Sequence, residues 1–355
     1  MLIKENSVLF EKSDMFFVKH FGVMYATRKV LEHKAKHATP FVYDTLQLAD
    51  LLGIRRKSMF KLSKNVNGHY KRIILKKQNG KKRIIHAPDS ALKSVQQVIL
   101  ARILKYIPVS DYATAYIKGK SLANNASAHL GHKYLLKMDI TDFFGSITYL
   151  QVISAVFNKN RFPVQIGAIL TSLCCRNDVL PQGAPTSPAI SNIVMKSFDD
   201  NVGKWCEENG VTYTRYCDDL TFSSQKPLYN VYVKAFKMLE DMGFEVNRKK
   251  THFITDASRQ TVTGLTVNEK VSIPRDYKQN LRQEVYYAIK YGFAESIVHG
   301  NKTDFVKNAT PDIEKYYNHL KGKIGYVLQI EPQNTWFKEK LKELEQKHNE
   351  RKRKY

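Results

Sequence analysis

Thr212-Tyr213-Thr214-Arg215-Tyr216-Cys217-Asp218-Asp219-Leu220-Thr221-Phe222-Ser223 sets two adjacent aspartates between two runs rich in Thr, Tyr and Phe. Such runs favour strands, and Asp tolerates the backbone angles of a tight turn. The stretch predicts a β-hairpin with two carboxylates at its tip. Adjacent carboxylates repel, so a fold that holds them together usually holds a cation beside them. Oxygen ligands of this kind suit Mg²⁺. Alone, the stretch also fits an ordinary turn containing Asp.

A second site narrows the reading. Leu136-Lys137-Met138-Asp139-Ile140-Thr141-Asp142-Phe143-Phe144 is a mostly apolar strand that delivers Asp139 ahead of an aromatic pair. Asp139 lies 79 residues before Asp218 (218 − 139). Between them, Leu180-Pro181-Gln182-Gly183-Ala184-Pro185-Thr186-Ser187-Pro188 is a loop by composition, and an apolar, helix-like run follows. In order and spacing the three stretches resemble the palm of reverse transcriptases: the motif A aspartate, the LPQG loop and the xxDD hairpin.

That resemblance implies an α+β fold shaped as a right-hand polymerase, with fingers, an antiparallel palm sheet packed with helices, and a helical thumb. It implies an RNA-directed DNA polymerase working by two-metal phosphoryl transfer. Asp139, Asp218 and Asp219 would hold two Mg²⁺ ions, with the Ile140 carbonyl completing a ligand set. Phe144 would pack under the sugar and exclude a 2′-hydroxyl, and Gln182 would touch the incoming dNTP. Gly243-Phe244-Glu245-Val246-Asn247-Arg248-Lys249-Lys250-Thr251 resembles motif D. Lys250 would donate a proton to pyrophosphate, with Lys249 the alternative. Asp142 is read as structural, a cap for the helix after it. Hairpin position two is Cys217, where retron enzymes commonly carry alanine; cysteine is nearly as small.

Composition agrees with a polyanion partner. The 355-residue chain carries a net charge of +24, with 20 Tyr and 18 Phe available for core or base stacking. No apolar run reaches about 18 residues, so no membrane span is expected. The start lacks a signal peptide's apolar segment, and the four cysteines have neither metal nor disulfide spacing. A reducing cytoplasm is the expected location.

Five segments are expected: 1–68, an N-terminal helical extension and the start of the fingers; 69–130, fingers; 131–268, palm; 269–334, thumb; 335–355, a charged helical tail. Amphipathic character runs from about Met15 to His33. Residues 44–64 read as two packed helices with Gly53 ending the first, rather than as a DNA-reading helix-turn-helix. Tyr70–Lys77, Gln78-Asn79-Gly80 and Lys81–His86 read as a basic hairpin with an Asn-Gly turn. Its Lys81 and Arg83 are candidates to meet the incoming triphosphate, or else to line an RNA groove.

Asn125-Ala126-xx-His129 is similar to the NAxxH element of retron reverse transcriptases, and Val262-Thr263-Gly264 to their VTG element. Retron membership implies a cognate structured non-coding RNA. It also implies priming from the 2′-hydroxyl of a guanosine in that RNA, a branched RNA-linked msDNA, and an effector protein acting in defence against phage. Candidate RNA-binding residues are Asn125 and His129, with Arg282, Tyr286, Tyr287, Lys321 and Lys323 in the thumb. A lone histidine such as His129 is also the ordinary pattern of a satisfied core residue. No RNase H domain is expected. The alternatives are a group II intron, diversity-generating or phage-exclusion reverse transcriptase, and a catalytically idle RNA-binding scaffold.

Overall fold

A computed structural model describes residues 40, 42–76, 80, 82–307 and 309–354. Lys81 and the amphipathic stretch from Met15 to His33 lie outside the described residues. The chain forms two compact units. The first takes the described residues up to Lys120, Leu136–Phe222 and Pro227–Phe253. The second takes Ser121–Leu135, Ser223–Lys226 and the described residues from Ile254 onward. Residues 121–135, 223–226 and 254–268 therefore group with the helices from Arg275 onward. The physical reason is the second unit's core, which buries Ala126, Leu135, Val262, Leu265 and Val267 together with Leu281, Val285, Leu320 and Ile324.

In the first unit, helix Thr45–Leu52 starts at Asp44, whose carboxylate accepts from the Leu46 and Gln47 amides at 2.8 and 2.9 Å. It ends at Gly53, which takes φ 68°. Helix Arg56–Lys64 follows. Strands β1 (Tyr70–Lys76) and β2 (Lys82–Pro88) pair antiparallel, from Tyr70 opposite Pro88 to Lys76 opposite Lys82. Helix Ser90–Arg102 buries Leu92, Val95 and Ile99, as its spacing predicts.

A four-stranded sheet carries the carboxylates. It contains β3 (Tyr134–Asp139), β4 (Thr212–Tyr216), β5 (Asp219–Ser224) and β6 (His252–Thr255), in spatial order β4-β5-β3-β6. β5 and β3 are the inner strands of the sheet, and Leu136, Met138, Leu220 and Phe222 on them are all buried. Helices Tyr149–Ala155, Val164–Cys174, Ser187–Val194, Lys196–Glu208 and Tyr229–Asp241 supply the rest of this unit. In the last of these Val231, Ala235 and Leu239 are buried, while Val233 is 48% exposed.

The second unit is built on helices Arg275–Tyr291, Phe293–His299, Ile313–Ile330 and Thr335–Lys354. Phe337 and Leu344 of the last helix are fully buried beside Leu281, Val285, Leu320 and Ile324. The charged tail is thus a core helix of this unit. His348 adds a stacked contact on Tyr317, ring centroids 3.7 Å apart. A short hairpin of β7 (Thr261–Val262) and β8 (Leu265–Thr266) turns through Thr263 at φ 47° and Gly264 at φ 83°. Two positive φ values in a two-residue loop match the twist of the flanking strands. Among the described residues no helix is long and apolar enough to cross a membrane.

Candidate active site

β4 and β5 are joined by Cys217 and Asp218 alone, so the turn presents Asp218 while Asp219 opens β5. β5 lies next to β3, which ends on Asp139. Main-chain bonds fix the junction. The Ile140 amide donates to the Asp218 carbonyl at 3.1 Å, the Asn247 amide to the Asp139 carbonyl at 2.8 Å, and the Thr141 amide to the Glu245 carbonyl at 2.8 Å. Motif A, the xxDD turn and motif D are thereby tied into one site.

Charge at the site is crowded. Burial pushes the Asp219 carboxyl above its ordinary range, and the Asp218 and Asp139 charges push the same way. Lys250 answers part of this repulsion. Its ammonium donates to both Asp139 oxygens, at 2.9 and 2.8 Å. That hydrogen bond raises the Lys250 pKa, and the three aspartate charges add to it. Lys249 is exposed and has no such contact among the described residues. Among the described residues no group of three or more His, Cys, Asp or Glu side chains is arranged to hold a metal ion as it stands. The donor chemistry nevertheless suits a hard cation: carboxylate oxygens crowded together, with a cationic side chain already on one of them.

The turn itself is strained. Cys217 takes φ 60°, uncommon for a residue with a side chain. Such conformations persist only where the surroundings over-determine them. Here the Tyr116 hydroxyl donates to the Cys217 sulfur at 3.3 Å, and Arg215 Nη1 donates to the Cys217 carbonyl at 2.9 Å. Burial pushes the Cys217 thiol up to about 12, so it stays a neutral, small filler.

Phe144 and Phe143 divide their work. Phe143 is buried against Phe244, while Phe144 is half-buried beside it. Asp142 occupies the N-cap of the short helix Phe143–Ser146, at φ 43°, but its side chain makes no capping bond. Its carboxylate instead lies over Gly145, where an added Cβ would meet Oδ2 at 2.2 Å. The LPQG loop docks on β2. The His86 amide donates to the Gln182 carbonyl at 2.9 Å, and Gly183, at φ +127°, leaves no room for a Cβ against Ile85 and the His86 carbonyl. Gln182 is half-buried and Arg83 exposed on β2, opposite Leu75.

A sequence profile for reverse transcriptases (RNA-dependent DNA polymerases) matches residues 74–272. The chain belongs to the reverse transcriptase family. Its curated relatives place it among the retron enzymes. It is 33% identical over 289 residues to the retron Ec83 reverse transcriptase of Escherichia coli, covering 74% of this chain and 84% of that one. The retron Mx65 enzyme of Myxococcus xanthus is 32% identical over 286 residues, 75% of this chain and 62% of that one. The retron Ec86 enzyme of Escherichia coli is 34% identical over 208 residues, 58% of this chain and 65% of that one. The chain thus spans just under two thirds of the length of these last two relatives.

Two family marks have a structural task in this chain. Asn125 and His129 are fully buried, so neither forms an RNA-contact surface; this corrects the reading that put them on RNA. The Asn125 side-chain amide reaches the Thr263 hydroxyl at 3.5 Å, which links NAxxH to VTG directly. His129 Nδ1 is 2.7 Å from the Ser223 hydroxyl, and burial lowers its pKa to about 3, leaving it neutral. The thumb candidates differ among themselves. Tyr286 and Tyr287 are 50% and 42% exposed. Arg282 is exposed and stacks over Trp336 and Phe337 at 5.5 and 5.7 Å. Lys321 pairs with Glu345 at 2.8 Å. Lys323, like Lys302, is engaged by Glu284, at 2.8 and 3.0 Å respectively. Tyr287, Tyr291, Gln283 and Glu284 line a cavity of about 850 Å³ in this unit.

One fully buried charged pair went unread in the sequence. Arg215 and Asp199 are both fully buried and form a bidentate pair, Nε to Oδ1 at 2.9 Å and Nη2 to Oδ2 at 2.7 Å. Tyr213 donates to Asp199 Oδ1 at 2.8 Å, and Arg215 Nη2 donates to the Asn192 side-chain oxygen at 3.2 Å. Arg215 stands two residues before the turn, in a run read only for its strand propensity.

Proposed function

We propose that this chain is the RNA-directed DNA polymerase of a retron, copying a cognate structured non-coding RNA into branched, RNA-linked msDNA in the cytoplasm. The observation that carries the reading is the single site made by Asp139, the Asp218–Asp219 turn and Lys250, with Lys250 bound to both oxygens of Asp139. Chain growth is attack of a hydroxyl on the α-phosphate of a dNTP. Asp139, Asp218 and Asp219, with the Ile140 carbonyl, would hold two Mg²⁺ ions, which when bound neutralise charge on the attacking and leaving oxygens. Lys250 Nζ, kept protonated by its acidic surroundings, would give its proton to the departing pyrophosphate. Phe144 closes the space below the sugar. Gln182 and Arg83, with Lys81, orient the triphosphate, work that is mainly positioning and electrostatics. Exposed Tyr286 and Tyr287 would stack unpaired bases of the cognate RNA, and an effector protein would couple the product to defence against phage.

Expression together with its flanking locus tests the retron reading. The chain should yield a small DNA joined to RNA that debranching enzyme releases. Only unbranched nucleic acid, from a preparation active on primed templates, would leave a general reverse transcriptase.

A further inference from the structure

We propose that Arg215 is a positioning residue for catalysis. Its guanidinium, neutralised by Asp199, tethers the Cys217 carbonyl and thereby sets the direction in which Asp218 is presented. The inference rests on the polymerase reading above and goes beyond it, because Arg215 touches neither substrate nor metal.

The geometry argues for more than core filling. Four of the guanidinium's contacts are fixed at once: two to Asp199, one to the Asn192 side chain and one to the Cys217 carbonyl. The Arg215 backbone is clamped as well. Its amide donates to the Tyr112 carbonyl at 2.9 Å, and its carbonyl accepts from the Thr114 amide and hydroxyl at 2.8 and 2.9 Å. Asn192 is held in turn, donating to the Ala115 carbonyl at 2.8 Å. A rigid fork therefore stands under the one residue of the turn with positive φ, one position before the catalytic Asp218. Well-packed apolar side chains usually hold a core at least as well as a buried ion pair. Stability alone does not account for a fully buried charge here, whereas a directional donor aimed at a strained turn does. Lysine has one ammonium in place of the planar fork and cannot span the same three partners.

Two variants test this: Arg215→Lys, and Arg215→Lys with Asp199→Glu, which restores pairing reach but not the tether. Primer extension is measured across a Mg²⁺ titration and normalised to active sites by burst amplitude. Wild type must extend the primer first; if it does not, the polymerase reading fails and not this one. In both variants kcat should fall by about 10²-fold, and half-saturating Mg²⁺ should rise by about 10-fold. Affinity for the primed template should stay within about twofold, because no contact to it is changed. Phe157→Leu, a packing change in the same unit, should lower the melting temperature without moving half-saturating Mg²⁺. A purely structural Arg215 would behave like Phe157→Leu, losing active fraction only. Wild-type Mg²⁺ dependence in either Arg215 variant would overturn the proposal. If neither variant melts cooperatively, Asn192→Ser, which shortens one arm of the network and keeps the ion pair, carries the same readout with the same expected direction.

Discussion

Asp219 is where the site's electrostatics can be read most directly. Its pKa is raised by burial and by two neighbouring carboxylates. The folded protein therefore holds this proton to higher pH than the unfolded chain does. Ionising Asp219 works against the fold, fully so at neutral pH, and the penalty fades as pH falls through the carboxylate range. Metal-free Asp219→Asn should accordingly melt above wild type at neutral pH, with the gap closing toward about pH 4; thermal melts at several pH values check it. Asp139→Asn and Asp218→Asn should keep the fold and abolish synthesis, a barrier rise of several kcal/mol as metal charge stabilisation is lost. Phe144→Ala should relax sugar selection, read as the ratio of ribonucleotide to deoxyribonucleotide incorporation; an unchanged ratio would make the half-buried ring a packing residue. These residues were legible because their chemistry is written in residue type and order. Arg215 was not, since a charged residue in a strand gives no sign of its burial until its partner, Asp199, is placed beside it by the fold.

At the scale of elements, the LPQG loop and the basic hairpin act as one piece. Gly183 sits where any Cβ would strike Ile85 and the His86 carbonyl, at a φ that L side chains rarely adopt. Gly183→Ala should cost about 1–3 kcal/mol from backbone strain alone. It should also raise the KM for dNTP by shifting Gln182 off β2; denaturant melts and steady-state kinetics measure the two effects. The loop and hairpin were each visible in composition, but their main-chain junction was not, because a bond between two backbones leaves no trace in side-chain pattern. The same limit explains NAxxH and VTG. Sequence placed them in different subdomains by their distance along the chain, yet Asn125 and Thr263 meet, and Ala126, Val262 and Leu265 share one core. The xxDD hairpin and the pairing of β1 with β2 were legible because each rests on strand-forming runs close together in sequence.

For the whole molecule, a net charge of +24 predicts RNA affinity that falls steeply with salt through counterion release. Replacing Tyr287, exposed and lining the cavity of the second unit, by alanine should weaken binding by about 1–3 kcal/mol per lost base stack, with little change in the salt slope. Fluorescence anisotropy with labelled cognate RNA over a salt series separates these contributions. The central claim is that Asp139, Asp218 and Asp219 make this chain an RNA-directed DNA polymerase. Its most direct test is primer extension on a heteropolymeric RNA template with Mg²⁺, using wild type, Asp218→Asn and a template-free control. Full-length complementary DNA from wild type alone, and only with template present, is the predicted result. Equal extension by Asp218→Asn, or no extension by folded wild-type protein that binds the primed template, would contradict it.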